Sequence, residues 1–87
     1  MSPESLAALA RSAAAAQRLG MVAQGGEVLA RLVDELGPFL AARPALAGRT
    51  APLLALVVAA QQRGDPIGLA DLLEHELSPV LRSAPAG

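Results

Sequence analysis

The 87-residue chain predicts an all-α fold, a small antiparallel bundle of three to four helices. Three observations carry that expectation. Apolar residues recur at three- and four-residue spacing in four segments. Sustained apolar–polar alternation, the mark of a strand, is absent. Ala and Leu, both strong helix formers, fill 36 of the positions.

The first helix is expected over residues 3–20, with an extension to 24 as the outer bound. Ser2 suits an N-cap, Pro3 the first helical position, and Glu4 the positive end of the helix dipole. Leu6, Leu9, Ala13, Ala16 and Gly20 follow heptad spacing. The small residues in that seam predict an easily formed helix held only weakly by its neighbours. Gly25-Gly26 reads as a break, and as a place where backbones can approach closely.

The second helix is expected over 27–42. Val28, Leu29, Leu32, Val33, Leu36, Phe39 and Leu40 share one arc of the helical wheel, opposite Arg31, Asp34 and Glu35. Pro38 lies on the polar side, which favours one continuous helix bent around the core over two short ones. Residues 43–50, with Pro44 and Gly48, read as a loop ending in a Thr50 cap.

The third helix is expected over 51–63, closed by Gly64. Leu53 to Ala60 runs eight positions without a polar residue. Its large side chains cover far more of the wheel than a surface helix needs, leaving only Ala55, Ala59 and Gln62 for a solvent stripe. The fourth helix is expected over 66–82, opened by Asp65-Pro66 and bent or ended near Pro79. The chain is then a single domain over 1–87, with 83–87 as a loose tail.

Composition excludes several function classes. Hydrophobic residues make up 53% and charged residues 17%, which excludes intrinsic disorder. The net charge of −1 provides no field for nucleic acid, and the fourth helix, with Asp71, Glu74 and Glu76, would repel phosphates as a recognition helix. Without Cys there are no disulfides or thiolate metal sites, and one His removes multi-histidine sites. The start carries no basic, apolar leader, and the run Ala51 to Ala60 falls short of the roughly 20 residues that span a bilayer. A cytoplasmic protein with no cofactor and no membrane span is the expectation.

Asp71, His75 and Ser78 share a helix face and hold the residue types of a hydrolase triad. On a helix exterior they point into water rather than at one another, so no enzymatic activity is expected. Glu76 falls inside the apolar arc, which makes it the candidate buried polar residue. Arg43, Arg49 and Arg63 are its candidate mates, beside the simpler reading in which its carboxylate reaches water from the edge of the arc.

The third helix directs the functional reading. Too apolar to face water, it predicts packing on both sides: against its own bundle and against a second chain. The expected function is a non-enzymatic protein–protein interaction or assembly module, adaptor or chaperone-like. The alternative is a binder of an apolar ligand such as a lipid or acyl chain. The interface residues are expected to be Leu6, Leu9, Leu53, Leu54, Val57 and Val58. The partner is expected to be the chain itself, as a homodimer, or a helix of another protein. On this reading Val57→Arg disrupts association before it unfolds the monomer.

Overall fold

Short stop signals in the sequence decide where the helices end. The computed structural model describes residues 2–84. Helix α1 spans Pro3–Arg18, α2 Val22–Ala41 and α3 Pro44–Gln62. Helix α4 starts as Pro66–Asp71, passes through a π-helical turn at Leu72–Leu77 and returns to α-helix over Ser78–Arg82. The bundle expected from periodicity is present, and the described residues contain no strand.

Ser2 caps α1 as its sequence suggests, with Oγ accepting from the Ser5 amide at 3.1 Å. Gly20 ends the helix at φ +76°, a conformation that costs glycine little. The Met21 amide then donates to the Ala16 carbonyl at 2.9 Å and the Gly20 amide to Gln17 at 3.1 Å, a Schellman closure. The α3–α4 corner repeats it. Gly64 sits at φ +66°, and the Asp65 amide reaches the Ala60 carbonyl at 3.0 Å. Only Ala42 and Arg43 separate α2 from α3.

Three expectations about boundaries need correction. Gly25-Gly26 is not a break but lies inside α2, the turn having formed at Gly20. Gly25 serves the second role glycine offers: a Cβ there would lie 2.7 Å from Nε2 of Gln17 and 3.4 Å from Cβ of Ala16, so these α1 side chains lie directly against the α2 backbone. Residues 43–50 are not a loop, because Pro44 takes the first helical position and α3 runs from there. Thr50 is a buried mid-helix residue, its hydroxyl donating to the carbonyls of Leu46 (3.0 Å) and Ala47 (3.2 Å). Pro38 sits within a continuous α2, as expected.

Helix α1 is the centre of the bundle, not its weakly held edge. It packs against α2 on one side and the length of α4 on the other. Its alanines 7, 10, 13, 14 and 16 are buried together with Leu6. Small side chains permit close approach from two sides at once, and that is what fills the core here. Leu29, Leu32, Leu36 and Phe39 of α2 and Leu69, Leu73, Leu77 and Leu81 of α4 complete it. Helix α3 lies outside, spanning from α2 to α4, and contributes Leu46, Val57 and Ala60. The radius of gyration, 11.9 Å, matches the value of about 12 Å expected for a folded domain of this length.

The π turn explains where the polar residues of α4 went. The leucines 69, 73, 77 and 81 are evenly spaced by four. In an unbroken α-helix each such step drifts about 40° around the axis, so the last leucine would leave the face of the first by about 120°. A π turn, closed here by the Ser78 amide on the Leu73 carbonyl, holds more residues and cancels the drift. All four leucines therefore stay buried. Glu76 is turned out to water and Ser78 into the core, which corrects the expectation that Glu76 is the buried polar residue of α4. Ser83 and Ala84 are not loose either: the Ser83 hydroxyl donates to the Val80 carbonyl at 2.6 Å and Ala84 is buried. Residues 85–87 of the expected tail lie outside the described residues.

Candidate interaction surface

Three arginines, Arg11, Arg18 and Arg49, tie distant parts of the chain together. Arg18, at the end of α1, donates to Asp71 at 2.8 Å and to Glu74, clamping α1 onto the start of the π turn. Its hydrogen bond to Asp71 is the main reason its pKa lies above the ordinary arginine value, against an opposing desolvation. Arg11 donates to the buried Ser78 hydroxyl at 3.3 Å. Arg49 donates to Ser83 at 3.3 Å, and Arg43 lies over the Phe39 ring, 3.9 Å from its centroid. Arg63 pairs with Asp65 at 3.2 Å. Arg49 and Arg63 thus have partners other than Glu76, as does Arg43, which also donates to the Phe39 carbonyl.

Asp65 caps α4 by accepting from the Gly68 amide at 2.9 Å. That bond, followed by the Arg63 hydrogen bond, holds its carboxyl below the usual range.

The hydrolase-like trio does not assemble. Asp71 is engaged by Arg18, Ser78 is buried beside Arg11, and His75 projects into water with its Nε2 4.0 Å from Glu74. The π turn that rotates Ser78 inward is what separates it from His75. Among the described residues no three His, Asp or Glu side chains cluster as a metal site.

The six expected interface residues separate into three groups. Leu6 and Val57 are core residues, fully or almost fully buried, and both leave the interface reading. Leu6 faces inward because α1 is central, and Val57 because it is the one large residue of the apolar run that α3 turns fully inward. Leu9, Leu53 and Leu54 are half-buried against the core edge. Val58 is 50% exposed, and Leu56, absent from the expected set, is 52% exposed. Equal spacing on the wheel gives no means of telling Leu56 from Val57 until the neighbours are known.

Helix α3 therefore presents a distinctive outer surface. Of the expected stripe, Ala55 and Gln62 face solvent and Ala59 is half-covered, while Ala51, outside that expectation, is exposed in line with them. Leu56 stands on one side of this row and Val58 on the other. Each borders a groove. Toward α2 lies one of about 360 Å³ lined by Leu29, Ala30, Val33, Leu54, Val57 and Val58, with Asp34 and Gln61 as its only polar side chains. Toward α4 lies one of about 530 Å³ in which Leu56 and Leu72 are surrounded by Arg63, Asp71, His75 and Glu76. The helix start at Pro44 also changes the membrane test. Over Pro44–Gln62, α3 is long and apolar enough to cross a bilayer by length and composition, with 22% of an 18-residue stretch of it buried within the fold. An exposed docking helix meets the same criteria.

No protein-family model, curated protein or solved structure matches the chain.

Proposed function

We propose that the protein is a non-enzymatic helical interaction module that docks a partner protein through the outer surface of α3. One observation carries the reading. Of the 19 residues of α3 only Leu46, Thr50, Val57 and Ala60 are buried, while Leu56 and Val58 stay half exposed beside a row of alanines. Isolated exposed apolar residues are ordinary. Two of them flanking a small-residue row and two grooves form the geometry of a helix-in-groove contact, in which a partner's apolar side chains enter on either side of a closely approached backbone.

The test is a pair of substitutions on the exposed ridge. Leu56→Glu and Val58→Glu leave the melting temperature nearly unchanged, and both abolish retention of whatever the wild-type chain holds when purified from its host under native conditions. Arg31→Glu, on the exposed side of α2, retains it. If the ridge variants hold the same proteins as wild type, the docking reading is wrong.

The apolar groove between α2 and α3 supports a second reading, binding of a lipid or acyl chain. Its volume lies within the range of ligand pockets and its lining is nearly all hydrocarbon. Native mass spectrometry of protein purified from its host distinguishes the two: a bound apolar molecule lost in Val58→Glu supports the ligand reading.

A further inference from the structure

We infer that the cavity between the α1–α2 and α3–α4 corners takes the carboxamide head of a small amphiphile whose hydrocarbon tail lies in the α2–α3 groove. The inference rests on the ligand reading of that groove and names the head group and its seat. Gln17 carries it. This residue is only 5% exposed, yet its side-chain amide has no hydrogen-bond partner among the described residues. A covered amide left without a partner is costly. Among the described residues no polar side-chain atom is sealed away without one, so the Gln17 amide keeps an opening. It opens on a cavity of about 240 Å³, walled by Val22, Pro66 and Leu69, with Gln17, Gln61 and Asp65 as its polar side chains. Gly25 leaves the amide its place against α2.

The position of this cavity supplies the rest of the ligand. Its lining shares Gly26 and Gln61 with the α2–α3 groove, so the two spaces meet. No atom stands within 4 Å of where a Cβ of Gly26 would be, which leaves the edge of α2 clear at the junction. From Gly26 the groove follows α2 to Val33, seven residues and about 10.5 Å, past Leu29, Leu54, Val57 and Val58. A hydrocarbon path therefore ends at a covered, unpaired amide.

Hydrogen-bond chemistry chooses the head. The Gln17 amide carries a donor and an acceptor, whichever way it is turned. A carboxylate only accepts. It would leave Oε1 unpaired and would lose water with no cation on the wall of either space. An ammonium only donates and would leave Nε2 unpaired. Asp65 does not call for one, since it already accepts from Arg63 and from the Gly68 amide. An ester has no donor. A carboxamide presents donor beside acceptor and answers both atoms of Gln17.

Octanamide, octanoate, octylamine and methyl octanoate share one tail and so test the head. Isothermal titration calorimetry with the full chain shows octanamide binding tightest, by on the order of tenfold over the others. Gln17→Met, which keeps the bulk and removes the amide, erases that preference while the tails still bind. Because the amide has no partner in the described fold, the melting temperature of Gln17→Met stays level with wild type or rises. Val58→Glu, in the groove wall, weakens octanamide and methyl octanoate alike. The ranking of the four ligands by the wild-type chain decides the matter even if Gln17→Met fails to fold. The inference is overturned if another head binds as well as the amide, if none of the four binds, or if Gln17→Met keeps the preference. Equal binding of all four, with octanamide and methyl octanoate lost in Val58→Glu, leaves the ligand reading of the groove standing and removes only this inference.

Discussion

Gly25 and Gly26 are neighbours in α2, and replacing each with alanine isolates a single packing contact. Both substitutions gain the same helix propensity, about 1 kcal/mol. At Gly26 no atom lies within 4 Å of the added Cβ, so the gain is realised in full. At Gly25 the Cβ arrives 2.7 Å from Nε2 and 3.1 Å from Cδ of Gln17, a side chain only 5% exposed, with Ala16 at 3.4 Å. The Gln17 amide must leave a covered position or α2 must move off α1. Overpacking of that kind costs about 1–3 kcal/mol, so Gly25→Ala ends between neutral and about 2 kcal/mol less stable once propensity is credited. For a domain of this size 1 kcal/mol moves the midpoint by about 4–8 °C. Thermal unfolding followed by circular dichroism therefore places Gly26→Ala above wild type by about that interval and Gly25→Ala level with or below wild type. Gln17→Ala in the Gly25→Ala background restores most of the loss, since the two positions share one contact. Equal stabilisation by the two glycine replacements would refute the close α1–α2 approach. Gly37, equally open, is not a third control because it precedes Pro38 and is restricted by that ring.

Further outcomes follow from burial and capping. Val57→Glu places a carboxylate where a side chain is 3% exposed and unfolds the domain or costs several kcal/mol in urea titration, whereas Val58→Glu, one residue on, changes stability by at most about 0.5 kcal/mol. Leu73→Ala removes a fully buried leucine at the head of the π turn and costs about 2–5 kcal/mol by the same measurement. The Asp65 carboxyl is depressed in the folded state, first by the Gly68 amide and then by Arg63. Its contribution is therefore present above the unfolded value of about 3.9 and is lost as pH falls through the folded one. Melting temperature against pH shows a decline below about pH 4 that is shallower in Asp65→Asn, which keeps a capping oxygen without a charge.

Much of the fold was legible because local rules and tertiary packing agree. Ser2-Pro3-Glu4 and Asp65-Pro66 start helices where capping chemistry says they should, and the even apolar arc of α2 survives around Pro38. Failures came where one residue type serves two purposes. Gly25-Gly26 reads as a turn because glycine so often marks one, yet Gly20 already supplied the turn and Gly25 supplies room. Pro44 reads as a loop residue, though a proline three residues after a helix end suits the first turn of the next equally well. The alanines of α1 suggested weak attachment when judged by area per side chain. Their value lies in letting two helices approach one axis, which no single-helix pattern records. The exposed apolar ridge was half legible: the run 53–60 pointed to α3, but assigning Val57 inward and Leu56 outward required the positions of α2 and α4.

The π turn in α4 was legible in retrospect, and it makes a sharper claim than any cap. A π turn is an α-helix carrying one residue more than its face requires. Leucines at 69, 73, 77 and 81 call for one such residue between 69 and 81 if all four are to share a side, and the turn at Leu72–Leu77 supplies it between 73 and 77. Pro79 alone does not account for it, since Pro38 and Pro52 sit in α-helical stretches without one. Deleting Glu76 should therefore be tolerated. The remaining spacing becomes four, three and four, a regular α-helical seam that keeps every leucine inside. The same operation in α2, deletion of Arg31, turns Leu32, Leu36 and Phe39 by about 100° relative to Leu29 and removes them from the core together. Urea titrations of the two variants decide the matter. A cooperative transition for the Glu76 deletion with none for the Arg31 deletion confirms that leucine register sets the turn. Equal disruption by both means that the widened turn is held by something other than the leucine spacing.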